Sequence, residues 1–139
     1  MKKFVFLEHT ADAKFQAFGK TIEECFANAG LAVNAVEAEI GKVKPREKLE
    51  IKVSADSQEA LLHRFLEEVL FQMETREMLF SKIKVKINEG KNSLAAELFG
   101  EKIDGKRHEL KTLAKAVTWN GFYLKKEKGV WTAQVVCDT

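Results

Sequence analysis

The chain has 139 residues, enough for one domain with a sizeable core, and its single Pro and 8 Gly argue against disorder. A net charge of +2 is too small to argue nucleic-acid binding from bulk electrostatics. No apolar run reaches membrane-spanning length, so no membrane partner is expected.

Phe4 to Leu7 is a short apolar run and predicts a strand. It empties into Glu8-His9-Thr10-Ala11-Asp12, which offers two carboxylates, an imidazole and a hydroxyl within five residues. Such a cluster at a strand end is either a turn held by local side-chain hydrogen bonds or a functional rim. Only four apolar residues precede Glu8, too few for a signal peptide. Ala13 to Phe18 alternates loosely and predicts a second strand, stopped at Gly19. Thr21 with Glu24 forms a capping box that opens a helix. Ile22, Cys25, Phe26, Ala29, Val33 and Val36 then recur at helical spacing and form one stripe.

Gly41 to Lys48, with Pro45, is a loop. Leu49, Ile51 and Val53 alternate with polar residues and predict a third strand. Asp56 with Glu59 marks a second helix start. Leu61, Leu62, Phe65, Leu66, Val69, Leu70 and Met73 make a wide stripe, so this helix is expected to be the more buried of the two. His63 lies beside the stripe and is expected at the surface. From Leu79 to Ile87, Ile83, Val85 and Ile87 face one way and Lys82, Lys84 and Lys86 the other, which is a strand with one wet face.

Asn88 to Asn92 predicts a hairpin turn and Ser93 to Gly100 the returning strand. Glu101 to Glu109 is a polar loop long enough to be functional. Lys115 to Lys125 is expected to be one strand, Lys126 to Gly129 a turn, and Val130 to Asp138 the last strand. The order β-β-α-β-α-β-β-β-β gives an α+β class. It amounts to a single domain over 1–139, a mostly antiparallel sheet of about six to seven strands with two amphipathic helices on one face.

Phosphate-loop, dinucleotide, nucleophile-elbow, zinc-protease and EF-hand patterns are all missing. Cys25 and Cys137 lie far apart without CxxC spacing, so reduced thiols and a cytoplasmic location are expected. Polar residues that remain sit at element ends: Glu8 to Asp12, the loop with Glu101, Asp104, His108 and Glu109, then Lys115, and finally Asp138 with Thr139. Two carboxylates such as Asp12 and Asp138, about 4 Å apart, would repel by roughly 4 kcal/mol at an effective dielectric near 20. They would need a cation, a lysine such as Lys115, or a shared proton. All-oxygen ligands suit Ca²⁺ or Mg²⁺; His9 with His108 is the zinc alternative.

Taken together, several spaced motifs resemble the archease family: Glu8-His9-Thr10-Ala11-Asp12, then Gly19-Lys20-Thr21-Ile22-Glu23-Glu24, then Leu61-Leu62 with Phe65-Leu66-Glu67-Glu68. They continue with Gly100-Glu101 and Asp104, Lys115-Ala116-Val117-Thr118, and the terminal Val135-Val136-Cys137-Asp138. The chain departs from the family pattern at three places. Thr139 stands where an aliphatic residue is usual, Cys137 where Phe is common, and Ala114 where Val is usual.

The resemblance implies a non-catalytic accessory protein of an RtcB-type RNA-splicing ligase. Such a protein promotes guanylylation of the ligase's active-site histidine and multiple turnover in tRNA splicing, and it can broaden which nucleotide triphosphate the ligase accepts. It implies a divalent metal site, Ca²⁺ or Mg²⁺, at Asp12, Asp138 and the main chain of Thr139. Glu8, His9 and Lys115 would face the partner, and tRNA would be met only indirectly, through the ligase. The alternatives are a metal-dependent phosphoesterase, or a general chaperone or modulator of a tRNA-modifying enzyme, which would need an exposed apolar patch.

Overall fold

The computed structural model describes residues 1–8 and 11–139. Among these residues the elements are β1 (Phe4–Leu7), β2 (Ala13–Gly19), α1 (Ile22–Glu37), β3 (Glu47–Ser54), α2 (Gln58–Arg76) and β4 (Met78–Asn88). β5 (Ser93–Lys102), β6 (Ala116–Val117), β7 (Tyr123–Glu127) and β8 (Val130–Asp138) follow. The α+β class is as expected, and every strand pairing is antiparallel. The eight strands divide between two sheets. One runs β1-β2-β8-β6, with β7 also on β8, and the other runs β3-β5-β4.

α1 packs against β2 and β8 of the first sheet, β4 of the second, and α2. That position buries it on every side: 14 of its 16 residues are buried, against 8 of 19 in α2. The expectation that α2 is the more buried helix is therefore reversed. Small residues make α1's position possible, because Ala27, Ala29, Gly30, Ala32 and Ala35 let its backbone approach its neighbours closely. Its buried amides are satisfied: Asn28 donates to Phe18 O at 2.7 Å, and Asn34 donates to Gly30 O while accepting from Phe80 N–H at 2.8 Å.

Local signals explain the ends of the elements. Thr21 caps α1, its hydroxyl accepting from Glu24 N–H at 3.1 Å. For α2 the cap is Ser57, one residue past the expected Asp56, and it accepts from Ala60 N–H at 3.1 Å. β4 carries a bulge between Phe80 and Lys82. There the opposing backbone comes so near that a Cβ on Gly100 would stand 1.9 Å from Leu79 O, so only glycine fits. Beyond the bulge the alternation holds, with Ile83 buried and Lys82, Lys84 and Lys86 exposed.

The strand expected over 115–125 is broken in two. β6 ends at Val117, and the chain leaves the sheet through Trp119 and Gly121, whose φ is +61°. Trp119 lies flat on His63 of α2, with ring centroids 3.9 Å apart and planes 3° from parallel. Phe122 meets both rings edge-on. Trp119 stays 58% exposed, so the stack covers one face of its ring and takes the place of two or three more ladder hydrogen bonds. It also buries His63, against the expectation of a surface histidine. His63 Nδ1 lies 3.3 Å from Glu67, and Nε2 has no hydrogen-bond partner among the described residues.

Candidate functional site

β2 and β8 run side by side to their ends. Ala13 opposes Cys137, and the same register carried one step further sets Asp12 opposite Asp138. Directly opposed residues of an antiparallel pair point to the same side of the sheet. Cys137 points into the core, so Asp138 points outward, and it is exposed. One step on, the Thr139 hydroxyl donates to Ala11 O at 2.9 Å. Ala11 has φ +73°, a left-handed conformation that costs a residue with a Cβ about 1 kcal/mol or more. The Thr139 hydrogen bond helps to hold it there.

The other edge of β8 is closed by β6, where Ala116 opposes Asp138 and Lys115 N–H donates to Asp138 O at 2.8 Å. Asp138 is thus flanked by the Asp12 strand on one side and the Lys115 segment on the other. Lys115 and Glu8 are exposed at this rim, and His9 lies outside the described residues.

Beneath the rim is Glu37, the last residue of α1, which the sequence reading does not single out. It is buried, its carboxylate accepts from Ala114 N–H at 3.1 Å, and its carbonyl accepts from Lys111 N–H at 2.8 Å. It therefore pins the segment that delivers Lys115. Burial raises its pKa, offset in part by the Ala114 hydrogen bond. The available signal was its place at a helix C-terminus, where the macrodipole disfavours an anion and tertiary partners must hold it.

Asp138, Asp12 and Glu37 all bear on the Cys137 thiol. Burial first, and then these three carboxylates, push its pKa up to about 12. Burial likewise pushes Cys25 up to about 12. Neither thiol is a poised nucleophile, because the thiolate is the reactive form.

The loop after β5 is held by a charged hub. Glu101 is buried and accepts from Lys44 N–H at 2.8 Å, from Arg107 Nη1 at 2.9 Å and Nη2 at 2.8 Å, and from His108 Nε2 at 2.9 Å. His108 Nδ1 accepts from Asp104 N–H at 3.0 Å, so Nε2 carries the proton given to Glu101. The Arg107 guanidinium, helped by Lys44 N–H and His108, holds the Glu101 carboxyl well below the usual range despite its burial. Glu109 pairs with Lys42 at 2.7 Å. Both His108 nitrogens are engaged and buried, so the zinc alternative through His108 is overturned. The polar loop acts as a strut. From the hub it runs past a bridge between Leu110 and Ala38 to Glu37, and so to Lys115.

Among the described residues no three His, Cys, Asp or Glu side chains cluster as a metal site. An ion at the rim would take the outward carboxylates of Asp12 and Asp138 with main-chain oxygens of Thr139. That all-oxygen set fits a hard divalent cation.

The model of the archease protein family (MTH1598/TM1083) matches residues 4–139. The chain belongs to the archease family. It is 41% identical over 140 residues to the archease of Methanosarcina mazei, covering 99% of this chain and 96% of that one. It is 37% identical over 138 residues to the archease of Sulfurisphaera tokodaii, covering 99% of each. The solution structure of protein 1598 of Methanobacterium thermoautotrophicum superposes with a TM-score of 0.88 at 37% identity over 100% of both chains. An archease from Thermotoga maritima, described as a possible chaperone, shares the fold with a TM-score of 0.64 at 21% identity, covering 96% of this chain and 94% of that one.

Proposed function

We propose that this archease is an accessory protein that activates an RtcB-type RNA-splicing ligase in tRNA splicing. It promotes guanylylation of the ligase and so permits repeated turnover, and it performs no catalysis itself. What supports the reading is that the Ala13–Cys137 pairing and the Thr139–Ala11 hydrogen bond bring the chain ends carrying Asp12 and Asp138 together at one sheet rim, on a chain that matches the family over residues 4–139. Asp12, Asp138 and the main chain of Thr139 would hold a divalent ion, Ca²⁺ or Mg²⁺. When bound, that ion would neutralise the two carboxylates and offer a Lewis-acidic point to phosphate oxygens of the ligase's nucleotide.

The chain's own residues supply position and charge. The β2–β8 ladder carries Asp138 and ends next to Asp12, the Lys115–Asp138 hydrogen bond fixes the lysine's backbone beside them, and Glu37 with the Glu101 hub keeps that segment in place. Glu8 and Lys115 present one anion and one cation to the partner, and His9 completes the partner-facing set.

The test is a ligation time course with limiting ligase, guanosine triphosphate and a divalent ion. The parent protein should carry the ligase through many turnovers, and the ligase alone should stall after about one. Asp12→Asn keeps the shape and removes one charge, so it should lose most of the stimulation, about tenfold or more for one missing carboxylate contact. Stimulation equal to the parent's would show that the rim is not the working surface. Incubation of the protein alone with RNA and Mg²⁺ should give no cleavage.

A further inference from the structure

Three strands, β3, β5 and β4, present a face away from the core that none of the preceding function uses. Its outward positions form three rows across the sheet: Lys48, Phe99 and Lys82; then Glu50, Glu97 and Lys84; then Lys52, Ala95 and Lys86. Five of the nine are lysine and two are glutamate, a balance of +3 that exceeds the +2 of the whole chain. The charge is therefore concentrated here, and the remainder of the molecule sums to −1. Lys48 lies 3.3 Å from Glu97 and 3.7 Å from Glu50. Lys52, Lys82, Lys84 and Lys86 have no ion pair among the described residues, and all four are exposed.

The arrangement is a shallow channel. β5 is the central strand, and along it run Phe99, Glu97 and Ala95; lysines stand on β3 and β4 to either side except in the middle row, where β3 carries Glu50. The flanking columns stand about 10 Å apart, and Lys82 to Lys86 spans about 13 Å. Ala95, small between Lys52 and Lys86, opens a recess of about 310 Å³. Phe99 is half-buried, and the ammonium groups of Lys82 and Lys84 lie 5.2 and 5.7 Å from its ring centroid. That contact holds two cations in place over the sheet.

From this surface we infer that the outer face of the three-stranded sheet binds the phosphodiester backbone of single-stranded RNA directly, where the family resemblance implies only indirect contact through the ligase. Charge complementarity selects a polyanion. Every cation is a lysine, a point charge on a flexible stem that meets phosphate oxygens without a fixed fork. A protein partner is the weaker fit, because the cores of protein interfaces are depleted in lysine and enriched in arginine. The inference does not depend on ligase activation and is measured on the chain alone.

The experiment is fluorescence anisotropy of a labelled oligouridylate, about a dozen nucleotides long, titrated with the intact protein across a salt series. With about four lysines neutralising phosphates, the logarithm of the affinity should fall against that of salt with a slope of about −2.8, or roughly 0.7 per lysine. The double variant Lys52→Glu with Lys86→Glu, on either side of the uncharged Ala95, should weaken binding tenfold or more at low salt and reduce the slope by about 1.4. Both side chains are exposed, so the variant should melt like the parent. Asp12→Asn, at the rim, should bind RNA no more weakly than the parent. A polyglutamate peptide of matched charge should bind at least tenfold more weakly than the RNA. No binding at low salt, an unchanged affinity in the double variant, or equal binding of the peptide would each overturn the assignment.

Discussion

Both sheets are antiparallel ladders over the same core, yet they turn different surfaces outward. In the five-stranded sheet the outward Gln16 donates to Tyr123 Oη at 2.9 Å and to Gln134 at 3.1 Å, so polar groups on that face satisfy one another. At one end of this sheet Asp138 closes β8 and Asp12 immediately precedes β2. On the outer face of the three-stranded sheet, which also carries Glu50 and Glu97, four lysines have no ion pair among the described residues. A face whose groups are mutually paired has little left to offer a partner, whereas unpaired like charges keep their full attraction for an external counter-ion. On the two proposals, one sheet would address its partner at an edge and the other across a plane.

The segment 103–115 ties the two regions together, and two buried glutamates anchor it. The largest effect is expected at the end on the three-stranded sheet. Glu101→Ala leaves Arg107, His108 and Lys44 N–H without their common acceptor and should cost about 3 kcal/mol, about 10 °C in Tm. The pH dependence checks the cause. The Glu101 carboxyl titrates below its ordinary value of 4.5 in the folded protein, so its contribution is present above 4.5 and is lost as the pH falls below it. The gap in Tm between parent and variant should therefore narrow on acidification. A gap that stays constant would mean that lost packing, rather than the ionised hub, is responsible. Ligase stimulation should also fall, because the same segment carries Lys115, while RNA binding on the lysine face should not.

How much of this could be read from the sequence follows from the range of each interaction. The β4–β5 hairpin and the wet lysine face were legible because strand alternation and a turn at 88–92 are local. The cap at Thr21 was legible for the same reason. The division into two sheets was not, because β3 pairs with β5 across an intervening helix and strand. The deep burial of α1 was hidden by its alanines, which add little to a hydrophobic stripe yet permit close packing. At the site, the aspartates were legible as strand-end charges. Glu37 was not, because only a contact 77 residues away explains it.

A middle-sized effect is expected where the first sheet breaks. Trp119→Ala removes the ring stacked on His63 and exposes the edge of Phe122, and should cost about 1.5 kcal/mol in denaturant unfolding. If the break between β6 and β7 is set by this stack, amide exchange at 118–122 should quicken while β8 stays protected. Uniform quickening along β8 would show that the stack supports the whole edge rather than the break alone.

The smallest effect, and the one with the opposite sign, is expected at the anchor under the rim. Burial lifts the Glu37 carboxyl above its ordinary 4.5, so its protonated form suits the folded state. A raised folded pKa contributes stability at low pH that is lost as the pH rises through it, so at neutral pH the ionised group is a burden. Glu37→Gln keeps an acceptor for Ala114 N–H and removes that burden. It should raise Tm by about 2 °C at pH 7 and show no gain below pH 4.5. Ligase stimulation separates two reasons for the glutamate. If its negative charge serves the rim, the more stable variant should be the poorer activator, as expected where stability and function compete. If it serves only to hold Ala114, the variant should activate as well as the parent, and the carboxylates that matter would be the two that face outward.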